Sequence, residues 1–325
     1  MRPLGTDTPV PGRRFRGGAG RGDYDSGVFA SIRGFVRDSP VFRPVAPSLG
    51  AGWHALDRSR LVYDGRRARL RRRADRARPL GLRVAFTPEM PLGRHLAYQL
   101  CVRLDAPLAD PADADVVVYW QDTTVRGPRP AEVGPRAINA GVSDIGKHRV
   151  HAWHPRVFGY GLEPPPDATQ VLEKSNRNSQ HDGRVVAGPS GSPDRVAERV
   201  IDTRFSATVV EEHRAVIMGE RVVLVTTHFE LRHRFKEPAL LSIVVDPDET
   251  FSPAEQDRLV AFCRAGGADY ADLDVLRDRD TGRLYVVDFN PTPAGPPRRL
   301  LAADRPRWWH DLEEGWRELL RSHAG

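Results

Sequence analysis

Ala271-Asp272-Leu273-Asp274-Val275-Leu276-Arg277, then Asp278 to Gly282, then Arg283-Leu284-Tyr285-Val286-Val287-Asp288-Phe289-Asn290-Pro291 is the stretch that decides how the rest of the chain is understood. Two apolar runs about a polar, glycine-ended turn predict a β-hairpin. Side chains alternate along a strand, so Asp288 and Asn290 share one face, and the opposite strand can bring Asp274 to it. Two carboxylates and an amide oxygen suit a hard cation such as Mg²⁺, which keeps waters and takes further oxygens from phosphates. The plainer alternative leaves Asp274 and Asp288 as solvated positions on an exposed hairpin. Against it, Asp288 lies between Val287 and Phe289, where an unpaired charge is costly. Pro291 and Pro293 end the strand.

With 325 residues and 40% hydrophobic content, the chain can bury a large core and is expected to hold more than one domain. It has no apolar run long enough for a membrane span and no apolar signal segment at its start, so a cytoplasmic location is expected. Cys101 and Cys263, the only cysteines, fall in apolar helical patterns and are expected to be buried free thiols. The formal charge of +6 divides unevenly: residues 1–80 carry 18 Arg and 7 Asp, a net of +11, which leaves −5 for residues 81–325. Only residues 1–79 could contact nucleic acid or an anionic surface, and a solvated extension is the plainer reading of them. Of 49 basic residues, only Lys147, Lys174 and Lys236 are lysine. In a chain that writes arginine for generic positive charge, a retained lysine marks a place where a compact ammonium is wanted, as at a phosphate.

Residues 1–79 form a basic extension, expected to be partly disordered, with Pro11-Gly12-Arg13-Arg14-Phe15-Arg16 near its start. Gly18-Ala19-Gly20-Arg21-Gly22 lacks the preceding strand and following helix of a dinucleotide loop. Between Trp53 and Arg78, Leu61 to Arg66 carries an Asp-Gly hairpin signal, whereas Arg66 to Arg78 can form a basic helix. Residues 80–142 are expected to form a small α/β lobe: strand Leu82 to Phe86, helix Pro91 to Arg103, strand Val116 to Tyr119 and a short strand at Ala137-Ile138-Asn139. Asp144 is expected to cap a helix running to about Val157. His148, His151 and His154 drift around that helix without an acidic or cysteine partner, so packing rather than zinc is expected.

A strand from Gln170 leads to Lys174, a polar loop follows, and a second strand runs from His181 to Val186. After Gly188-Pro189-Ser190-Gly191-Ser192, a short helix is expected before Arg199-Val200-Ile201-Asp202. Val209 to Val223 gives two strands about Gly219, with Arg214 either facing inward or ion-paired to Glu212 or Glu220. Leu231 to Phe235 adds Arg232 and Arg234. Ser252-Pro253-Ala254-Glu255 is a capping box opening a helix closed by Gly266-Gly267, and Trp309, Leu312, Trp316 and Leu320 mark a carboxy-terminal packing helix.

Taken in order over roughly residues 80–295, these segments resemble the ATP-grasp enzymes. In that family a carboxylate on the first strand and an acid-x-Asn on the second hold the Mg²⁺ ions of ATP, which the resemblance assigns to Asp274, Asp288 and Asn290. Asp288 departs from the commoner Glu, and Asp272 stands where some relatives carry a basic phosphate contact. Lys147 resembles the family's first nucleotide lysine, although Ile145 and Gly146 separate it from Asp144. Lys174 resembles the second. The loop after it is poorer in glycine than usual, which leaves Asn176, Asn178 and His181 to meet phosphate with side chains. Asp202 corresponds to the acid that meets ribose hydroxyls, and Arg214 to the arginine of the acidic-x-Arg strand. Arg234 joins Arg214 as a catalytic candidate, while Lys236-Glu237-Pro238 departs from an asparagine that faces substrate in relatives.

The resemblance implies a mixed α/β and α+β architecture: an ATP-grasp domain over residues 143–325, split near 205 into two α+β subdomains, behind the small amino-terminal lobe. It implies an ATP- and Mg²⁺-dependent carboxylate-amine ligase that forms an acyl phosphate from a small-molecule or peptide carboxylate and passes it to an amine. Two alternatives stay open: a small-molecule kinase, and a non-catalytic nucleotide-fold protein working through its basic extension. No Ser-His-Asp or Cys-His arrangement is recognisable, in keeping with phosphoryl transfer, which needs positioned charge more than a protein nucleophile.

Overall fold

Five strands rich in Val, Leu, Ile and aromatic residues between Val209 and Asn290 build the central sheet. The computed structural model describes residues 60–73, 79–232 and 239–324, all within one unit, Pro47–Gly325. Arg234, Lys236 and the stretches 1–59 and 74–78, with the disorder expected of the extension, lie outside the described residues.

Helix α1 (Arg60–Arg73) resolves the ambiguity between hairpin and helix. It belongs structurally to the lobe that follows: Tyr63 is buried, donates to Ala106 O at 2.6 Å and meets Tyr98 edge-on at 5.1 Å between ring centroids. Strands β1 (Val84–Pro88) and β2 (Val116–Trp120) pair in parallel on either side of helix α2 (Leu96–Arg103). The α2 helix starts at Leu96, not near Pro91, because His95 holds the preceding turn by accepting from Leu92 N through Nδ1 at 2.9 Å. Ile138 contributes one parallel bridge to Val118 and no full strand.

Helix α3 (Lys147–Phe158) begins at Gly146. Asp144 does not cap it; its Oδ1 accepts from Gly146 N at 2.8 Å, a local turn that competes with capping. Strands β3 (Val171–Ser175), β4 (Arg184–Val186) and β5 (Arg195–Arg199) form a three-stranded antiparallel sheet ordered β4-β3-β5. The expected short helix before Arg199 is thus a strand, its alternation set by buried Val196 and Glu198.

Strands β6 (Val209–Met218), β7 (Arg221–Leu231), β8 (Leu241–Val245), β9 (Tyr270–Arg277) and β10 (Leu284–Asn290) form an antiparallel sheet ordered β10-β9-β6-β7-β8. Helix α4 (Pro253–Ala265) opens on the predicted capping box of Ser252 and Glu255. With α3 it covers one sheet face, where Ala215, Ile217, Val225, Leu273, Val275 and Phe289 are buried. The other face is divided. Helix α5 (Arg305–His323) and the amino-terminal lobe cover its apolar end at Val216, Met218, Leu224 and Tyr270. Its remaining end carries Glu212, Arg214, Asp274 and Asp288, so the core stops where the charged residues begin. Cys101 and Cys263 are free and buried, and among the described residues no helix is long and apolar enough to cross a membrane.

Candidate functional site

Register builds the charged end. Asp288 pairs with Asp274, Asp274 with Arg214, and Arg214 with Thr226, so one row crosses β10, β9, β6 and β7 on a single face. Two residues along, Asn290 pairs with Asp272. An irregularity at Val287 shifts the register so that Asp288, and not its neighbour, meets Asp274. Arg214 Nε donates to Asp274 Oδ1 at 2.8 Å and lies 3.5 Å from Asp272 Oδ2. Arg214 therefore pairs across to β9, not with Glu212 or Glu220. The Asp274 carboxylate, above all, keeps the Arg214 guanidinium protonated well beyond its ordinary range, against the opposing effect of burial.

The acids differ in state. Burial, together with the Asp274 and Asp288 charges, pushes Asp272 up to about 7 in spite of Arg214. Burial and Asp274 also raise Glu212 well above the ordinary carboxylate range. Asp288 goes the other way: burial would raise it, but Lys147, and behind it Lys174, hold it below its ordinary value. His228, on the same face, falls to about 3 through burial and the Arg214 charge.

The two lysines arrive from different elements. Lys147, the first residue of α3 and 6% exposed, ion-pairs with Asp288 and donates to Asn178 Oδ1 at 3.1 Å. Lys174, on β3, donates to Val287 O at 2.9 Å and pairs with Glu198 Oε1 at 2.8 Å. Glu198 is fully buried, and the same oxygen meets His151 Nε2 at 2.9 Å. Burial would raise Glu198, but Lys174 and His151 keep it below its ordinary value. Both lysines thus converge on the Val287–Asp288 bulge.

The amino-terminal lobe closes a third side. Asn290 Oδ1 accepts from Thr292 N at 3.0 Å, and Thr292 Oγ1 donates to Asp122 Oδ1 at 3.0 Å. The other Asp122 oxygen lies 3.4 Å from His95 Nε2, which carries the ring hydrogen because Nδ1 accepts from Leu92 N. The hydrogen bond with His95 above all lowers Asp122, against partial burial, and Thr292 adds to it. Thr124 Oγ1, in the same loop, accepts from Asn178 N at 3.0 Å.

Of the residues expected from sequence, the structure brings together Lys147, Lys174, Arg214, Asp274, Asp288 and Asn290. It does not bring in His181, which is exposed at a positive φ of 49°, or Asp202, whose two oxygens are taken by Arg204. Glu198, Asp122 and His95 carry no expectation from sequence, Glu212 only that of an alternative ion-pair partner of Arg214, and Asp272 only that of a departure from the family pattern. The alternation of β5 marks Glu198 as inward; nothing local marks Asp122.

Among the described residues, no three His, Cys, Asp or Glu side chains are grouped so as to hold a metal by themselves. Asp274 and Asp288 each engage a protein cation through Oδ1, while no described residue donates a hydrogen bond to Oδ2 of either. Asp272 Oδ1 is buried and has no hydrogen-bond partner among the described residues. Free acid oxygens beside phosphate-sized cations fit a hard cation that takes its other ligands from phosphate and water.

No family model matches the sequence, and no curated protein matches it. In structure the chain is similar to solved ATP-grasp ligases. D-alanine–D-alanine ligase from Bacillus anthracis complexed with ATP is 14% identical, over 75% of this chain and 98% of that one, with a TM-score of 0.43. The RimK domain protein ATP-grasp from Sphaerobacter thermophilus is 13% identical, over 74% and 99%, at 0.44. The ligase PsnB with minimal precursor, Mg and ADP is 12% identical, over 55% and 51%, at 0.33; this chain spans about half its length. Similarity this loose leaves the functional argument to the residues themselves.

Proposed function

We propose that the chain is an ATP- and Mg²⁺-dependent ligase of the ATP-grasp type that joins a carboxylate to an amine through an acyl phosphate. The observation that carries this is the convergence of Lys147 and Lys174, from α3 and β3, on the bulge that aligns Asp288 with Asp274 and Arg214. Asp274, Asp288 and Asn290 would hold Mg²⁺, which when bound neutralises phosphate charge. Lys147 would exchange Asp288 for a phosphate oxygen, and Lys174 would turn from the Val287 carbonyl toward the phosphates while Glu198 keeps its ammonium placed. Each cation–anion contact that breaks is replaced by another, so little charge is left uncompensated. Arg214, half-exposed between two aspartates, would offer its free nitrogens to the transferring phosphoryl group.

A carboxylate oxygen of the substrate would attack the γ-phosphorus as ADP leaves. An amine would then attack the acyl carbon, phosphate would leave, and the nitrogen would lose a proton. Hydroxylamine trapping tests this. The protein is incubated with ATP, MgCl₂, hydroxylamine and a panel of amino acids, dicarboxylates and short acidic peptides. Hydroxamate formed in step with ADP, and lost in Lys174→Ala, is expected; ADP release without hydroxamate from any acid would favour a kinase or a simple ATPase. The internal pairs Lys147–Asp288 and Arg214–Asp274 also suit a sheet that never binds nucleotide, and such a protein would release no ADP at all.

A further inference from the structure

The loop from Gln121 to Gly127 touches the candidate site twice, through Asp122 on Thr292 and Thr124 on Asn178. It also carries Arg126, which is only 6% exposed. Its guanidinium is fixed on two sides: Nη1 donates to Tyr119 O at 3.1 Å, and the group lies over the Tyr119 ring at 4.8 Å from the centroid. The loop is closed on itself by Gln121 Oε1, which accepts from Gly127 N at 3.3 Å, and by Tyr119 OH, which donates to Gly127 O at 3.3 Å. Yet Nε and Nη2 are buried and, among the described residues, have no hydrogen-bond partner. These two nitrogens form one edge of the guanidinium, the edge that presents parallel N–H groups to both oxygens of a carboxylate. Buried charges are paired as a rule, and polar groups are hydrogen-bonded.

We propose that the Nε–Nη2 edge of Arg126 is the receptor for a carboxylate group of the substrate, on the side of the site formed by the amino-terminal lobe. This rests on the ligase assignment for what the site does, but the carboxylate-binding claim stands or falls separately. Burial lowers Arg126 to about 10, so the guanidinium stays charged at neutral pH. Asp122 and Glu89 act on it electrostatically. With two acids nearby, a singly charged planar anion suits the position better than a phosphate dianion. Asp122 is tied through Thr292 to Asn290, so a ligand held by Arg126 would lie on the loop that borders the proposed metal and phosphate positions. Arg126 is a binding residue in this scheme, and nothing in nucleotide binding depends on it.

The test is calorimetric titration of the full chain with sodium acetate, succinate, L-alanine and L-glutamate, against sodium chloride at matched ionic strength. Thermal melting is followed in parallel, and Arg126→Lys and Arg126→Met are treated alike. Expected is saturable one-to-one binding of at least one carboxylate that raises the melting temperature. It should weaken at least tenfold in Arg126→Lys, which keeps charge but loses the fork, and vanish in Arg126→Met. Free Arg126→Met is expected to melt no lower than the wild type, because a buried unpaired charge has gone. A purely structural Arg126 predicts the reverse: Arg126→Met melting several degrees lower, with no carboxylate response in the wild type. That outcome, or carboxylate binding unchanged in both variants, overturns the proposal. Titration with AMP-PNP and MgCl₂ separates the two claims. Arg126-dependent carboxylate binding without nucleotide binding removes the ligase assignment alone, whereas nucleotide binding without it removes the Arg126 site alone.

Discussion

Lys147 and Asp288 illustrate how much can hang on one pair. Lys147 is buried at the start of α3, and the Asp288 side chain is 27% exposed, so each desolvates the other while neutralising it. Removing one partner strands the other, a loss that typically costs about 3–5 kcal/mol when fully buried and less at this exposure. Lys147→Ala should therefore lower stability by roughly 2–3 kcal/mol in urea denaturation and weaken AMP-PNP·Mg²⁺ binding at least tenfold. A stability loss without any loss of binding would make the pair purely structural. His213 supports a second prediction, independent of the site. It is buried, its Nδ1 lies 3.0 Å from Thr227 Oγ1, and burial, with the Arg277 charge, lowers it to about 4. An imidazole in the unfolded chain titrates near 6.5. Between pH about 6.5 and 4 the unfolded state thus binds the extra proton, and the folded state loses stability as pH falls. The loss from this residue approaches about 1.4 kcal/mol per pH unit in that window. Urea midpoints at pH 7 and pH 5 should show a smaller difference in His213→Gln than in the wild type; equal differences would contradict the assignment.

The β9–β10 hairpin was legible because alternation, the glycine-ended turn and the terminal prolines are local signals. The placement of Asp288 and Asn290 on one face follows from period two alone. The shift at Val287 that sets Asp288 opposite Asp274 is not visible in sequence, since Val286 and Val287 are interchangeable as strand residues. Asp202 was misleading for a local reason: Arg204, two residues on, satisfies it, a pairing that the Asp-x-Arg spacing could have disclosed. Asp122 was illegible because its partner Thr292 is 170 residues away. Between elements, Asn139 is the joint that ties the amino-terminal lobe to the start of β9. At φ 63°, its Oδ1 accepts from Asp269 N and Tyr270 N, both at 2.9 Å, and its Nδ2 donates to Tyr270 O at 2.9 Å. Asn139→Ala leaves these buried backbone groups unsatisfied and should cost about 2–4 kcal/mol in chemical denaturation. Gly267 permits the neighbouring close approach. A Cβ there would lie 2.4 Å from Gly141 O, at a φ of +74°. Gly267→Ala should therefore destabilise by at least about 2 kcal/mol. An unchanged melting temperature would mean that the Gly141–Gly267 contact is not tight in solution.

At the scale of the molecule, one sheet face is mainly apolar, with His213 and Thr227 as a buried polar pair on it, and the other changes from apolar to charged partway along the same strands. Helix α5 ends the core on that second face, and α3, β3 and the loop after β2 bring Lys147, Lys174 and Asp122 to the charged remainder. The sequence shows the strands and the lysines but not this division, which depends on where α5 and the amino-terminal lobe come to rest. The central claim is that the charged end is a magnesium-nucleotide site and not merely a set of internal ion pairs. The most direct test is calorimetric titration of the full chain with AMP-PNP, with and without MgCl₂, beside an Asp288→Ala and Asn290→Ala double variant. One-site binding that requires Mg²⁺ and falls at least tenfold in a folded double variant is the expected result. No binding to the wild type, or binding indifferent both to Mg²⁺ and to the two substitutions, would contradict it.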